Sequence, residues 1–123
     1  MTIKNMDLYV GGVWDWGMFD DIFPGKMRMG DVDGIIERNG RALMMEAKRP
    51  GVSVPKGQSI MFTNLAKSGY ISTIVVWGDA NQPEAMQVYA AGKAHPKRPA
   101  TTADVRQAVA QWFAWASKQP KPE

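Results

Sequence analysis

The dipeptide Asn39-Gly40 constrains this chain more than any other feature. Both central positions of a type I′ hairpin turn need a positive φ, which asparagine tolerates and glycine adopts freely. Val32, Ile35 and Ile36 precede the dipeptide, and Leu43, Met44 and Met45 follow it. This pattern predicts a β-hairpin. A hairpin centred between residues 39 and 40 pairs residues whose numbers add to about 79, so Asp33 faces Glu46. The second strand ends in Glu46-Ala47-Lys48. Side chains alternate along a strand, so Glu46 and Lys48 share a face and Ala47 points to the other.

Two carboxylates set opposite each other repel unless a cation joins them. A hard divalent cation such as Mg²⁺ or Mn²⁺ removes the conflict, because it prefers carboxylate, carbonyl and water oxygens. Lys48 beside them is placed to orient an attacking water or to stabilise charge on a phosphate. The plainer reading is an exposed hairpin with unrelated surface charges, and Glu-x-Lys alone carries little weight. The aspartate in register, the apolar strand before Glu46 and Gln58 downstream favour a site.

Further along, Asp15 to Phe23 reads as a short helix. Ser53 is the expected N-cap of a helix with Pro55 in its first turn. Gln58, Met61, Phe62 and Leu65 fall on one face of that helix, and Gly69 stops it. Tyr70 to Trp77 reads as a buried central strand. Strand, helix, strand implies a right-handed crossover and a parallel pair. Ala85 to Tyr89 reads as an edge strand and Gly92 to Thr101 as a loop. Thr101 or Thr102 caps a last helix to about Ser117, and residues 118–123 are expected to fray. The fold class is therefore α/β: a mixed central sheet, hairpin plus parallel crossover, flanked by helices. The 123 residues predict one domain. The five tryptophans and nine methionines read mainly as core. Trp112 and Trp115 are the ones also suited to stacking on a base or to a dimer face.

Charge is uneven. Residues 1–47 hold 8 acids and 5 bases, net −3, while residues 48–123 hold 4 acids and 10 bases, net +6. A phosphate-binding face beside an acidic, cation-holding site fits this division. Arg49, Lys56, Lys93, Lys97 and Arg98 are the candidate phosphate contacts, and His95 is a weak catalytic candidate. With no cysteine, disulfides and thiolate metal sites are excluded. No apolar run of membrane-spanning length and no signal-peptide core is present, so an intracellular, cytoplasmic location is expected.

Asp33, Glu46-Ala47-Lys48, Pro50-Gly51, Gly57-Gln58, Gly69-Tyr70 and the apolar strand to Trp77 together resemble the PD-(D/E)XK nuclease superfamily. The likeness is greatest to its VRR-NUC-like and Holliday-junction-resolvase-like branches, and covers about Gly30 to Gly78. The resemblance implies a restriction-endonuclease-like core over the single domain 1–123. It implies that Asp33 and Glu46 bind Mg²⁺ or Mn²⁺ with the Ala47 backbone carbonyl, that Lys48 is catalytic and that Gln58 assists. Val32 stands where the family has proline, and Asp31 competes with Asp33 for the ligand role. No glutamate precedes Glu37, so Asp20 or Asp21 is the candidate for the N-terminal acidic ligand of many relatives. The implied activity is structure-selective DNA cleavage in replication, repair or phage DNA metabolism, in the host cell if phage-encoded. Duplex, branched or flapped DNA is the implied partner, and a homodimer would bring two sites to two strands. The alternative is a nuclease-like binding protein without turnover: an inhibitor, adaptor or structural subunit.

Overall fold

A computed structural model describes residues 12–123, and the chain divides into two compact units, Met1–Asp31 and Val32–Glu123. In the first, the expected short helix is a 3-10 helix over Trp16–Ile22. Asp15 caps it by accepting the Gly17 N–H at 2.8 Å. Short glycine-containing pieces suit the tighter helix. Trp16 stacks on Phe19 with ring centroids 6.4 Å apart.

The second unit is built on the hairpin. Asn39 and Gly40 have φ of 52° and 81°, as the turn demands. Strands β1 (Gly34–Arg38) and β2 (Arg41–Lys48) pair antiparallel, from Gly34 opposite Met45 to Arg38 opposite Arg41. Every pair adds to 79, the register read from the turn. Asn39 does a second job. Its side-chain amide donates to the carbonyls of Ala116, Ser117 and Gln119 at 3.2, 3.3 and 3.2 Å. Arg41 donates to the Pro120 carbonyl at 2.9 Å. The tail expected to fray is thus tied to the hairpin at Gln119 and Pro120.

After β2 comes helix α1 (Lys56–Lys67), then β3 (Ile71–Asp79), parallel to β2. Pro55, not Ser53, stands at the N-cap, and it offers no side-chain acceptor. Gly69, with φ 81°, ends the helix as read. Phe62 and Ala66 are the buried residues of α1, while Met61 is exposed. The stripe is turned from the expected one, towards Phe62 and Ala66. Strand β4 (Gln82–Ala90) is interior, pairing with β3 on one side and with β5 (Lys93–Ala94) and β6 (Arg98–Pro99) on the other. The expected edge strand therefore has neighbours on both flanks, and the expected loop supplies them. Helix α2 (Thr102–Ser117) closes the unit, with Thr101 and Asp104 forming a reciprocal capping box.

The result is a six-stranded mixed sheet, parallel only at β2–β3, with one α-helix on each face. Leu43, Ile74 and Met86 pack with Trp112 and Ala116 of α2. Val75, Trp77 and Tyr89 pack with Phe62 of α1 on the opposite face. Trp77 and Trp112 are buried, whereas Trp14, Trp16 and Trp115 are exposed. Met86 is buried, whereas Met18, Met27, Met29 and Met61 are exposed. The expectation that these residue types fill the core holds only for those the sheet covers. No helix among the described residues is long and apolar enough to cross a membrane.

Two predictions follow from this architecture. Gly78 sits at the β3–β4 bulge with φ 155°, and a Cβ there would collide with the Gln82 carbonyl. Gly78→Ala should destabilise by at least about 2 kcal/mol, read as a lower denaturant midpoint with unchanged slope. The second concerns Asp104. Hydrogen bonds from the Thr101 backbone and then its side chain hold the Asp104 carboxyl below the ordinary carboxylate range. A depressed folded-state pKa adds stability above the unfolded value, which is lost as pH falls through the folded one. Thermal melting from about pH 5 down towards pH 2 should therefore cost wild type more stability than Asp104→Asn. Equal losses would show that the cap's charge contributes nothing.

Candidate active site

Period-two alternation puts Met44, Glu46 and Lys48 of β2 on the α1 face, beside Thr73, Val75 and Trp77 of β3. Lys48 closes β2, and Gly51, with φ 78°, reverses the chain immediately after. The loop then crosses the sheet end, where the Trp77 indole N–H donates to the Val52 carbonyl. It delivers Gln58 in the first turn of α1. Gln58 Nε2 donates to Glu46 Oε1 at 3.2 Å. Lys48 Nζ lies 3.5 Å from that same oxygen, and the Glu46 and Lys48 side chains are only 14% and 15% exposed. An ion pair so withdrawn from water is costly unless further hydrogen bonds support it, and the Gln58 amide supplies one.

Asp33 lies one residue before β1, and the register continued by one step sets it opposite Glu46. Its Oδ2 accepts the Ala47 N–H at 2.8 Å. The carboxylate thus takes the place of a strand partner where β1 has ended. In an extended strand the N–H and C=O of one residue leave on the same flank. The Ala47 carbonyl therefore faces the flank where Asp33 sits. Asp33 Oδ1 and Glu46 Oε2 have no hydrogen-bond partner among the described residues. Gln58 Oε1 is buried and likewise has no partner. No three His, Cys, Asp or Glu side chains gather as a metal cage among the described residues.

The structure therefore brings together Asp33, Glu46, Ala47, Lys48 and Gln58. Asp20, Asp21 and Asp31 belong to the N-terminal unit, where Arg28 Nε lies 3.2 Å from Asp20 Oδ2. The basic candidates separate. Lys97 lies on the site's side of the sheet, its Nζ 4.0 Å from the centroid of Trp77, the register partner of Lys48. Lys56 is exposed at the start of α1, two residues before Gln58. Arg49 follows Lys48 and makes an exposed pair with Asp79 at 3.6 Å. Arg98 pairs with Met86 and so faces α2. Lys93 pairs with Ala90, five residues or about 16 Å along β4 from the Trp77 partner Ala85. Strand alternation and the β4–β5 turn thus send Lys93, Lys97 and Arg98 to different places.

His95 is a strand-closing residue. Its N–H donates to Val88 O at 2.8 Å, its carbonyl accepts from Gln87 at 2.9 Å, and its ring Nε2 is 3.2 Å from Ala90 O. Trp77 was missed as part of the site's surroundings. Its signal was its place at the far end of the strand parallel to Glu46-Ala47-Lys48.

No family model, no curated protein and no solved structure matches this chain.

The Asp33 bond is directly testable. Asp33→Ala should speed hydrogen exchange of the Ala47 amide about tenfold, the scale of one charge-assisted bond. Asp33→Asn, which keeps an acceptor, should retain most of the protection. Unchanged exchange in Asp33→Ala would show that the carboxylate does not hold β2.

Proposed function

We propose that this protein is a metal-dependent DNA endonuclease of the PD-(D/E)XK kind, with a restriction-endonuclease-like core over its sheet. One observation carries the reading: Lys48 and Gln58 converge on one oxygen of Glu46, while Asp33 reaches β2 from across the hairpin. The donor set fits a hard cation. Asp33 Oδ1, Glu46 Oε2 and the Ala47 carbonyl are oxygens, and the buried Gln58 Oε1 lacks a donor. Mg²⁺ commonly takes one or two carboxylates and completes its shell with water and substrate phosphate. When bound, Mg²⁺ or Mn²⁺ would supply Lewis acidity at the phosphoryl oxygen.

The chain's own groups supply the rest. Lys48 is positioned to hold the attacking water or to meet charge growing on the phosphate. Gln58 donates to Glu46 Oε1 and so orients the carboxylate, leaving Oε2 without a partner among the described residues. Lys97, parked on the Trp77 ring, and the exposed Lys56 and Arg49 offer phosphate contacts along the site's margin. Contacts of this kind go to phosphates and carry no base sequence, which favours recognition of a branch, flap or end. The proposed action on DNA would take place inside the cell, in keeping with the expected cytoplasmic location, and a homodimer would cut two strands.

The test is cleavage of single-stranded, duplex and branched DNA in Mg²⁺ or Mn²⁺, with EDTA as control. Glu46→Gln and Lys48→Ala should both fold and both lose cleavage by about a hundredfold or more. Metal affinity should fall only in Glu46→Gln, and DNA binding should persist in both. Cleavage by Lys48→Ala at the wild-type rate would overturn the mechanism. A wild type that cuts nothing would leave the binding-protein reading in its place.

A further inference from the structure

One row of residues crosses the sheet at the candidate active site. Lys48 of β2 is followed by Trp77 of β3, Ala85 of β4 and Pro99 of β6. Lys97 stands just before β6, yet its Nζ lies over the Trp77 ring, 4.0 Å from the centroid. Ala85 packs in the cluster that holds Trp77 and puts no long side chain between the two. A cation rooted beside β6 is thus drawn inward across β4, to the residue that neighbours Lys48. We propose that Trp77 is a positioning residue, whose ring face presents Lys97 to a backbone phosphate next to the one held at Lys48. The inference rests on the nuclease reading of the site and distinguishes one cation on its margin as placed by the fold.

Three observations carry it. First, the platform is fixed. Trp77 is only 3% exposed, packs with Phe62, Val75 and Tyr89, and donates its indole N–H to the Val52 carbonyl. Whatever rests on that ring face is therefore fixed relative to Lys48. Second, the charge on Lys97 is uncompensated. Lys48 has Glu46 beside it and Arg49 has Asp79, whereas Lys97 has no ion-pair partner among the described residues. A neutral ring orders an ammonium without cancelling its charge. Third, the contact is made by the ammonium itself. A lysine that only covered an apolar ring would lay its methylenes there and hold its charge in water. An ordered, uncancelled cation is ready for an anion, because much of the cost of fixing a flexible side chain is met before binding. The anion must also extend from Lys48 to Lys97. A free phosphate answers one of them, while a DNA strand carries a phosphate at every nucleotide.

The experiment is fluorescence anisotropy with a labelled blunt duplex in EDTA, across a salt series, so that cleavage plays no part. Lys97→Met keeps apolar cover on the ring and removes the charge. It should weaken binding about fivefold and make the slope of log K against log salt shallower by about one, with thermal melting unchanged. Lys97→Arg, which also stacks, should bind like wild type. In a Trp77→Leu background, Lys97→Met should cost no more than about twofold, since the two residues act as a unit. In Trp77→Phe, which keeps a ring, Lys97→Met should cost as much as in wild type. Should Trp77→Leu fail to fold, proton NMR of wild type decides the same point. The Lys97 ε-methylene protons should be shifted upfield by the ring and stay shifted when duplex is added. Wild-type binding by Lys97→Met, an equal cost of that substitution with Trp77 and with Trp77→Leu, or loss of the upfield shift on adding DNA would overturn the proposal. The two readings fail separately. A ring-dependent Lys97 contact in a protein that cuts nothing sinks the nuclease and keeps the positioning. Cleavage that needs Lys48, with duplex binding untouched by Lys97→Met, sinks the positioning alone.

Discussion

The tight turn at Asn39-Gly40 is the constraint on which the rest of the second unit depends. Its two positive φ angles set the β1–β2 register. A slip of one residue would carry Glu46 and Lys48 to the α2 face and Ala47 to the α1 face. Gln58 would then have no carboxylate to meet, and Asp33 no strand opposite it. The same asparagine closes the other end of the fold. Its amide takes three carbonyls at the end of α2, so the turn that aligns the strands also stations the helix behind them.

The sheet works as a partition. On one face a partly buried carboxylate–ammonium pair is supported by an amide from α1. Burial of such a pair is tolerated because the Gln58 amide supports the oxygen that Lys48 approaches, while Asp33 Oδ1, Glu46 Oε2 and Gln58 Oε1 are left without partners among the described residues. On the other face α2 crosses a sheet wider than itself. A single helix cannot cover six strands, and the uncovered part is an apolar groove. The two features meet at Ala47 and Lys48, because alternate residues at the end of one strand belong to opposite faces.

Aromatic residues divide in the same way. Trp77 lies beneath the β2–α1 loop, bonded through its indole N–H to Val52, and its ring face carries Lys97. Trp112, on α2, is buried with no acceptor for its indole N–H among the described residues. One tryptophan is fully used by its surroundings and the other is not, a contrast that residue type alone does not carry.

What could be read from the chain was local. Positive φ at Asn39-Gly40, alternation through Glu46-Ala47-Lys48, the stop at Gly69 and a cap at Thr101 or Thr102 each depend on a few neighbouring residues, and the structure settles the cap at Thr101. The hairpin register and the order strand, hairpin, helix, strand followed from them, and so did the meeting of Asp33, Glu46, Lys48 and Gln58. The tertiary structure decided the rest. It placed β4 inside the sheet, because two-residue strands with no periodicity of their own pair along its outer flank. It sent Arg98 to the α2 face, through its pairing with Met86, and Lys97, the residue before β6, to the Trp77 ring on the other face. It left three of the five tryptophans exposed and opened the groove beside α2, because burial depends on which surfaces meet, and no stretch of adjacent residues records that.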